Sequence, residues 1–148
     1  MVSAVNVVEV QPCPLATIRG QADRTSLSKV IRQLFDRFYA APPKMERGLN
    51  VVLYHGNPAH GTTIDVGVQA LSPFEPSGDV IALSTPGGTA ATVTHLGPYE
   101  RLGEAYEAIL AWLAQNGREP GEMSWEVYGH WTDNQAELRT DIYFLLRQ

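Results

Sequence analysis

The chain has 148 residues with 11 basic and 16 acidic side chains, a formal charge of −5, which with a pI near 5.3 argues against a phosphate-binding face and against nucleic acid as a direct partner. At 44% hydrophobic and 18% charged residues it is a packed globular chain, and its length fits one domain over 1–148. The lone Cys13 rules out an intramolecular disulfide and a multi-cysteine metal site, the longest apolar stretch (108–114) is far too short to span a membrane, and the N-terminus has no export signal, so the expected compartment is the cytoplasm.

In chain order, 5–10 and 15–19 read as strands. The first helix is drawn by Leu27, Val30, Ile31, Leu34, Phe35 and Phe38, one apolar stripe over three turns, with Thr25 or Ser26 as cap and Pro42-Pro43 as stop. Strands follow at 51–55, 63–70 and 80–84, the first two separated by a Gly56-Asn57-Pro58 turn flanked by His55 and His60. Pro86-Gly87-Gly88 marks a hinge before a strand at 89–95. The second helix carries Leu102, Ala105, Tyr106, Ile109, Leu110 and Leu113 and ends at Asn116-Gly117, and the last strands are 125–128 and 140–146.

The order repeats itself. An offset of 75 lays Ala16-Thr17-Ile18 over Ala91-Thr92-Val93 and lays all six stripe positions of the first helix on those of the second. Offsets of 74 and 76 superpose Tyr54 on Tyr128 and Asp65 on Asp141. The expected fold is therefore α+β: duplicated strand-helix-strand-strand units, about 5–85 and 86–148, forming an antiparallel sheet with two helices on one face and a ligand groove on the other.

The second half carries more specific elements: Thr94-His95-Leu96-Gly97-Pro98-Tyr99, then Trp125-Glu126-Val127-Tyr128, then Thr140-Asp141-Ile142-Tyr143. In these H-x-G-P-Y, W-E-V-Y and T-[DE]-I-Y patterns it resembles the gyrase-inhibitor-like (GyrI-like) small-molecule or effector-binding domains, which occur free-standing or fused to helix-turn-helix regulators of the AraC and MerR types. Two departures stand out: Asp141 replaces a common Glu, and Phe144-Leu145 replaces a following proline. The resemblance implies a domain that binds lipophilic, often cationic small molecules, here free-standing, so that any DNA contact would come from another chain.

Strand alternation groups Glu126 with Tyr128 and Asp141 with Tyr143. The apolar set Ile142, Phe144 and Leu146 is expected to meet the helices, turning Asp141 and Tyr143 toward the groove, which the repeat also lines with Tyr54. The expected ligand-binding residues are Glu126, Tyr128, Tyr54, Asp141, Tyr143, Trp131 and Trp125. Trp131 lies in a loop able to overhang the groove, whereas alternation directs Trp125 toward the helices. Trp112, one position off its helix stripe, reads as packing. His95 reads as a hydrogen-bonded structural residue, with a general base as the alternative.

The histidines have no metal-ligand spacing, Gly87-Gly88 lacks the lysine of a phosphate loop, and Cys13 has no histidine to activate it, so neither metal nor cofactor is implied. The first functional reading is multidrug or effector sensing or sequestration, with Glu126 as counter-charge. The alternatives are a hydrolase of strained, cyclopropane-type electrophiles with Glu126 as its catalytic residue, as in some proteins that resemble the family, or a protein partner such as a DNA gyrase inhibitor. A homodimer or a partner regulator completes the expectations.

Overall fold

The computed structural model describes residues 1–56 and 61–147. The turn expected at Gly56-Asn57-Pro58, with His60, therefore lies largely outside the described residues. The strands are β1 (Asn6–Val10), β2 (Pro14–Ala22), β3 (Arg47–His55), β4 (Thr62–Ala70), β5 (Val80–Ser84), β6 (Gly88–Leu96), β7 (Pro120–Tyr128) and β8 (Arg139–Leu146), and the α-helices are α1 (Leu27–Ala40) and α2 (Leu102–Gln115). All strands join one antiparallel sheet in the order β1-β6-β8-β7-β3-β4-β2-β5. The α+β class with two helices on one face is as expected.

That order forces the sheet to roll. β1 and β2 stand six places apart, which in a flat sheet is about 29 Å. Only residues 11–13 join them, and four Cα steps reach at most about 14 Å. The same constraint applies to β5 and β6, joined by residues 85–87. The two linkers cross the gap together: the Cys13 amide donates to Thr85 Oγ1 at 2.9 Å, and the Thr85 amide donates to the Cys13 carbonyl at 3.0 Å.

The inner face of the roll carries Leu15, Val51, Leu53, Ala90 and Trp125, a buried cluster without a helix residue. Both helices pack on the outer face. Val30, Leu34 and Phe38 of α1 join Ile18, Val52 and Val66, while Ala105, Ile109 and Leu113 of α2 join Val93 and Ile142. Each helix thus commits one row of its stripe, spaced four residues apart, to the centre of its cluster. The neighbouring rows, Leu27-Ile31-Phe35 and Leu102-Tyr106-Leu110, line a cavity, most of them packing against the clusters only in part. The N-cap position of α1 is Ser26, one of the two expected, but its side chain bonds no helix amide; Asp23 instead closes the turn before the helix, accepting from the Thr25 and Ser26 amides at 2.9 and 3.0 Å. Gly117, at φ +62°, ends α2 in the left-handed region.

The register relates the two ends of the sheet. Ala16 faces Val68 as Ala91 faces Phe144, and Ile18 faces Val66 as Val93 faces Ile142. Along the central β3–β7 pair, Val52 stands opposite Glu126. Among the described residues no helix is long and apolar enough to cross a membrane.

On the inner face, Gly67 sits between Thr17 and Val51 in the register. A Cβ there would lie 1.9 Å from the Ala16 carbonyl oxygen and 2.8 Å from Thr17 Cα, both backbone atoms. At Gly20 a Cβ would meet only the side chain of Leu34, at 2.8 Å, which can turn aside. Gly67→Ala is expected to lower stability by about 2–3 kcal/mol and Gly20→Ala by clearly less, as read from urea unfolding midpoints; equal losses would deny the close β2–β4 approach.

Candidate functional site

Strand alternation brings Glu126 and Tyr128 of β7 to the outer face, alongside Tyr54 of β3, beneath Tyr106 of α2. Glu126 is 3% exposed. Its Oε1 accepts from the hydroxyls of Tyr54 at 3.0 Å and Tyr128 at 2.5 Å, and its Oε2 accepts from Tyr106. Tyr99 packs edge-on against Tyr128, with ring centroids 5.4 Å apart. Phe144 meets Tyr106 in the same way at 6.0 Å.

The partners of this carboxylate are neutral. The other buried acid, Asp65, takes both ends of the Arg19 guanidinium at 3.0 and 3.1 Å and faces His55 Nε2 at 2.6 Å. Among the described residues, no cationic side chain pairs with Glu126. Burial accordingly pushes the Glu126 carboxyl above the usual range, and the hydrogen bonds from Tyr106, Tyr128 and Tyr54 draw it back only in part. The three phenols are held well above their ordinary value, first by burial and then by the charge of Glu126.

Above this floor lies a cavity of about 1130 Å³ between the two helices. Its walls are the spare helix rows. Charged residues on its lining are Arg24 and Arg32 against Asp36, Glu100, Glu122 and Glu126, two cations to four anions. Trp131, 68% exposed, stands on the lining from the loop after β7.

The groove is thus on the helix side of the sheet, between the helices, and not on the opposite face as expected. The reason is the roll, which packs the opposite face with the Trp125 and Leu53 cluster and leaves there a hollow of only about 200 Å³. Of the expected site residues, Glu126, Tyr128, Tyr54 and Trp131 line the cavity. Asp141, Tyr143 and Trp125 do not. The register pairs Glu126 with Ile142, so Asp141 and Tyr143, one residue to either side, face inward. There Asp141 accepts from Thr94 Oγ1 at 2.6 Å and Arg139 Nε at 3.2 Å. Tyr143 stacks on Trp125 at 5.2 Å with planes 7° apart. Trp125 therefore faces the interior of the roll, away from the helices. His95 is buried on β6, off the cavity lining, and burial lowers its pKa.

The sequence marks Tyr106 only as a member of the second helix's apolar stripe and not as a site residue, yet it supplies one of the three hydrogen bonds. The available signal was its hydroxyl: a tyrosine inside an apolar helix stripe needs a buried partner. The cavity-facing Leu27, Ile31, Phe35 and Leu110 likewise stand in the sequence only as stripe positions, although a stripe two rows wide exceeds what one line of sheet contact requires.

A hollow of this size, with apolar walls and an unmatched acid at its base, defines the chain as a small-molecule-binding domain. It belongs to the family of GyrI-like small molecule binding domains, whose model matches residues 3–147. Among solved structures it is similar to the EcmrR C-terminal domain, at 24% identity and TM-score 0.69 over 97% of each chain. Against EcmrR in its complex with DNA, identity is 22% and the TM-score 0.76, with the chain 99% covered but spanning only 58% of EcmrR. SAV2435 bound to tetraphenylphosphonium matches at 9% identity and TM-score 0.75, over 98% of this chain and 94% of that one. A hydrolase encoded by lin2189 from Listeria innocua matches at 9% identity and TM-score 0.60, over 97% and 92%. At these identities the likeness is one of fold. No curated protein matches.

The raised Glu126 pKa has a consequence for stability. Between its unfolded and folded pKa values the native state holds a proton that the unfolded chain has lost, so this group's contribution is full below the unfolded pKa and fades as pH rises through the folded one. The melting temperature of Glu126→Gln minus that of the unaltered protein is therefore expected to grow as pH rises from the carboxylate range to neutrality. A difference that stays flat or shrinks would mean that burial does not penalise the charge.

Proposed function

We propose that the chain is a cytoplasmic sensing or sequestering domain for lipophilic cations, built as one domain from two units, about 5–85 and 86–148, with Glu126 as the counter-charge. The observation that carries this reading is a buried carboxylate whose hydrogen-bond partners are all neutral hydroxyls. An ionised group in that position lacks the solvation it had in water, and a cation entering the cavity restores it. Recruitment is driven by relief of that penalty.

The hydrogen-bond inventory narrows the class. A carboxylate has roughly four acceptor positions, and three are taken by Tyr54, Tyr128 and Tyr106. A quaternary ammonium or phosphonium, which has no N–H to donate, suits the site better than a primary amine that needs several acceptors. Aromatic faces add roughly 0.5–2 kcal/mol each for a cation, depending on desolvation, with little directional demand. The expected selectivity is broad within lipophilic cations. The likeness to SAV2435, whose structure holds tetraphenylphosphonium, supports the same ligand class. The likeness to DNA-bound EcmrR, of which this chain spans 58%, supports a sensing role exercised through a separate DNA-reading module.

A second reading draws on the same carboxylate. An acid whose pKa is raised by burial, in contact with three phenols, can orient or deprotonate water against a strained electrophile, and a hydrolase is among the similar structures. Catalytic turnover of a cyclopropane-type electrophile would favour it, and stoichiometric binding alone would favour the first.

The test is titration calorimetry with tetraphenylphosphonium and neutral triphenylphosphine oxide. Glu126→Gln is expected to weaken the phosphonium by about ten-fold or more, a loss of roughly 1.4 kcal/mol or more, and to leave the neutral compound within about three-fold. Affinity of the unaltered protein for the phosphonium should fall as pH is lowered through the Glu126 pKa, because a proton competes for the same carboxylate. Equal affinities in both proteins would remove Glu126 as counter-charge.

A further inference from the structure

The symmetry of the cavity bears on the shape of the molecule it holds. In an antiparallel pair, a local two-fold axis passes between directly opposed residues. In the β3–β7 pair Val52 opposes Glu126, and these two positions are also equivalent under the offset of 74 that matches Tyr54 to Tyr128. Glu126 therefore stands beside the axis relating the two ends of the sheet. Tyr54 and Tyr128, each two residues beyond it on opposing strands, reach in from opposite sides and donate to one oxygen, Glu126 Oε1, at 3.0 and 2.5 Å.

The walls follow the same axis. Ile31 and Phe35 of α1 correspond under the offset of 75 to Tyr106 and Leu110 of α2, and all four line the cavity. The one buried charge of the lining thus lies at its midpoint, with an apolar helix row running outward to each side; the other charged lining residues, Arg24, Arg32, Asp36, Glu100 and Glu122, are exposed. A cation with its charge at one end of a long tail can cover one wall only, or must leave part of its tail in water. A cation with its charge between two arms covers both walls while the charge stays over Glu126. Resting on the reading of Glu126 as counter-charge, we propose that the site selects cations whose charge sits centrally between two apolar arms of similar size, in preference to end-charged cations of the same composition.

Two isomers isolate this property. Dihexyldimethylammonium and undecyltrimethylammonium share one formula and one permanent charge and differ in where the charge sits. Calorimetric titration of the intact protein, below the concentration at which either compound self-associates, is expected to give a dissociation constant at least about ten-fold lower for the dihexyl isomer. Phe35→Ala and Leu110→Ala should each weaken the dihexyl isomer by similar factors, about three-fold or more, because each removes one arm's wall. The undecyl isomer should respond strongly to no more than one of them. Equal affinity for the isomers, or preference for the end-charged one, with both still lost in Glu126→Gln, would overturn this inference alone. Binding of neither isomer, or binding indifferent to Glu126→Gln, would overturn the counter-charge reading and this inference with it.

Discussion

The molecule is organised around one acid that it buries without a cation. Glu126 is held by hydroxyls from β3, β7 and α2, so the elements that enclose the charge also define the base of the cavity. Each phenol bond recovers part of the lost hydration. None supplies opposite charge, and the carboxyl remains shifted toward its neutral form. The contrast with Asp65 is instructive, since the same fold compensates that buried acid fully with the Arg19 fork. An arginine beside Glu126 would have made a sounder fold element and a poorer receptor.

The roll of the sheet decides which surface is free to receive a ligand. With the two ends tied by crossing three-residue linkers, the inner face is packed with its own side chains, among them the stacked Trp125 and Tyr143, and keeps only a small hollow of about 200 Å³ beside Cys13 and Thr85. The helices cannot cover the whole outer face, and the gap between them is the hollow. A helix pair that sheltered the sheet completely would have left no site on either side.

Much of this was legible in the chain. Both helices, all the strands, the antiparallel α+β class and the meeting of Glu126, Tyr54 and Tyr128 could be read from periodicity, the offset match and the family resemblance. Alternation correctly separated Glu126 from Trp125, and Ile142 from Asp141. Period two is blind to the sign of the face: apolarity assigned Ile142, Phe144 and Leu146 rightly to the helix side, whereas Trp125, also expected there, lies in the cluster without a helix residue. Grouping Asp141 with Glu126 required the β7–β8 register, and a shift of one residue there changes the answer. The shortness of 11–13 and 85–87 was visible too, but its force depends on the strand order, which places each linker's two strands six positions apart. Tyr106 escaped because hydrophobic periodicity counts a tyrosine as apolar and ignores its hydroxyl.

The linkers also bear on how the protein is made. β1 pairs with β6, and the free side of β3 pairs with β7, so two strands of the first half wait for partners that leave the ribosome much later. Until β7 has emerged, the nascent chain carries an unpaired, valine-rich β3 edge, the kind of backbone that recruits stray strands. The first half is thus a poor candidate for autonomous folding during translation, since two of its strands find their partners only in the second.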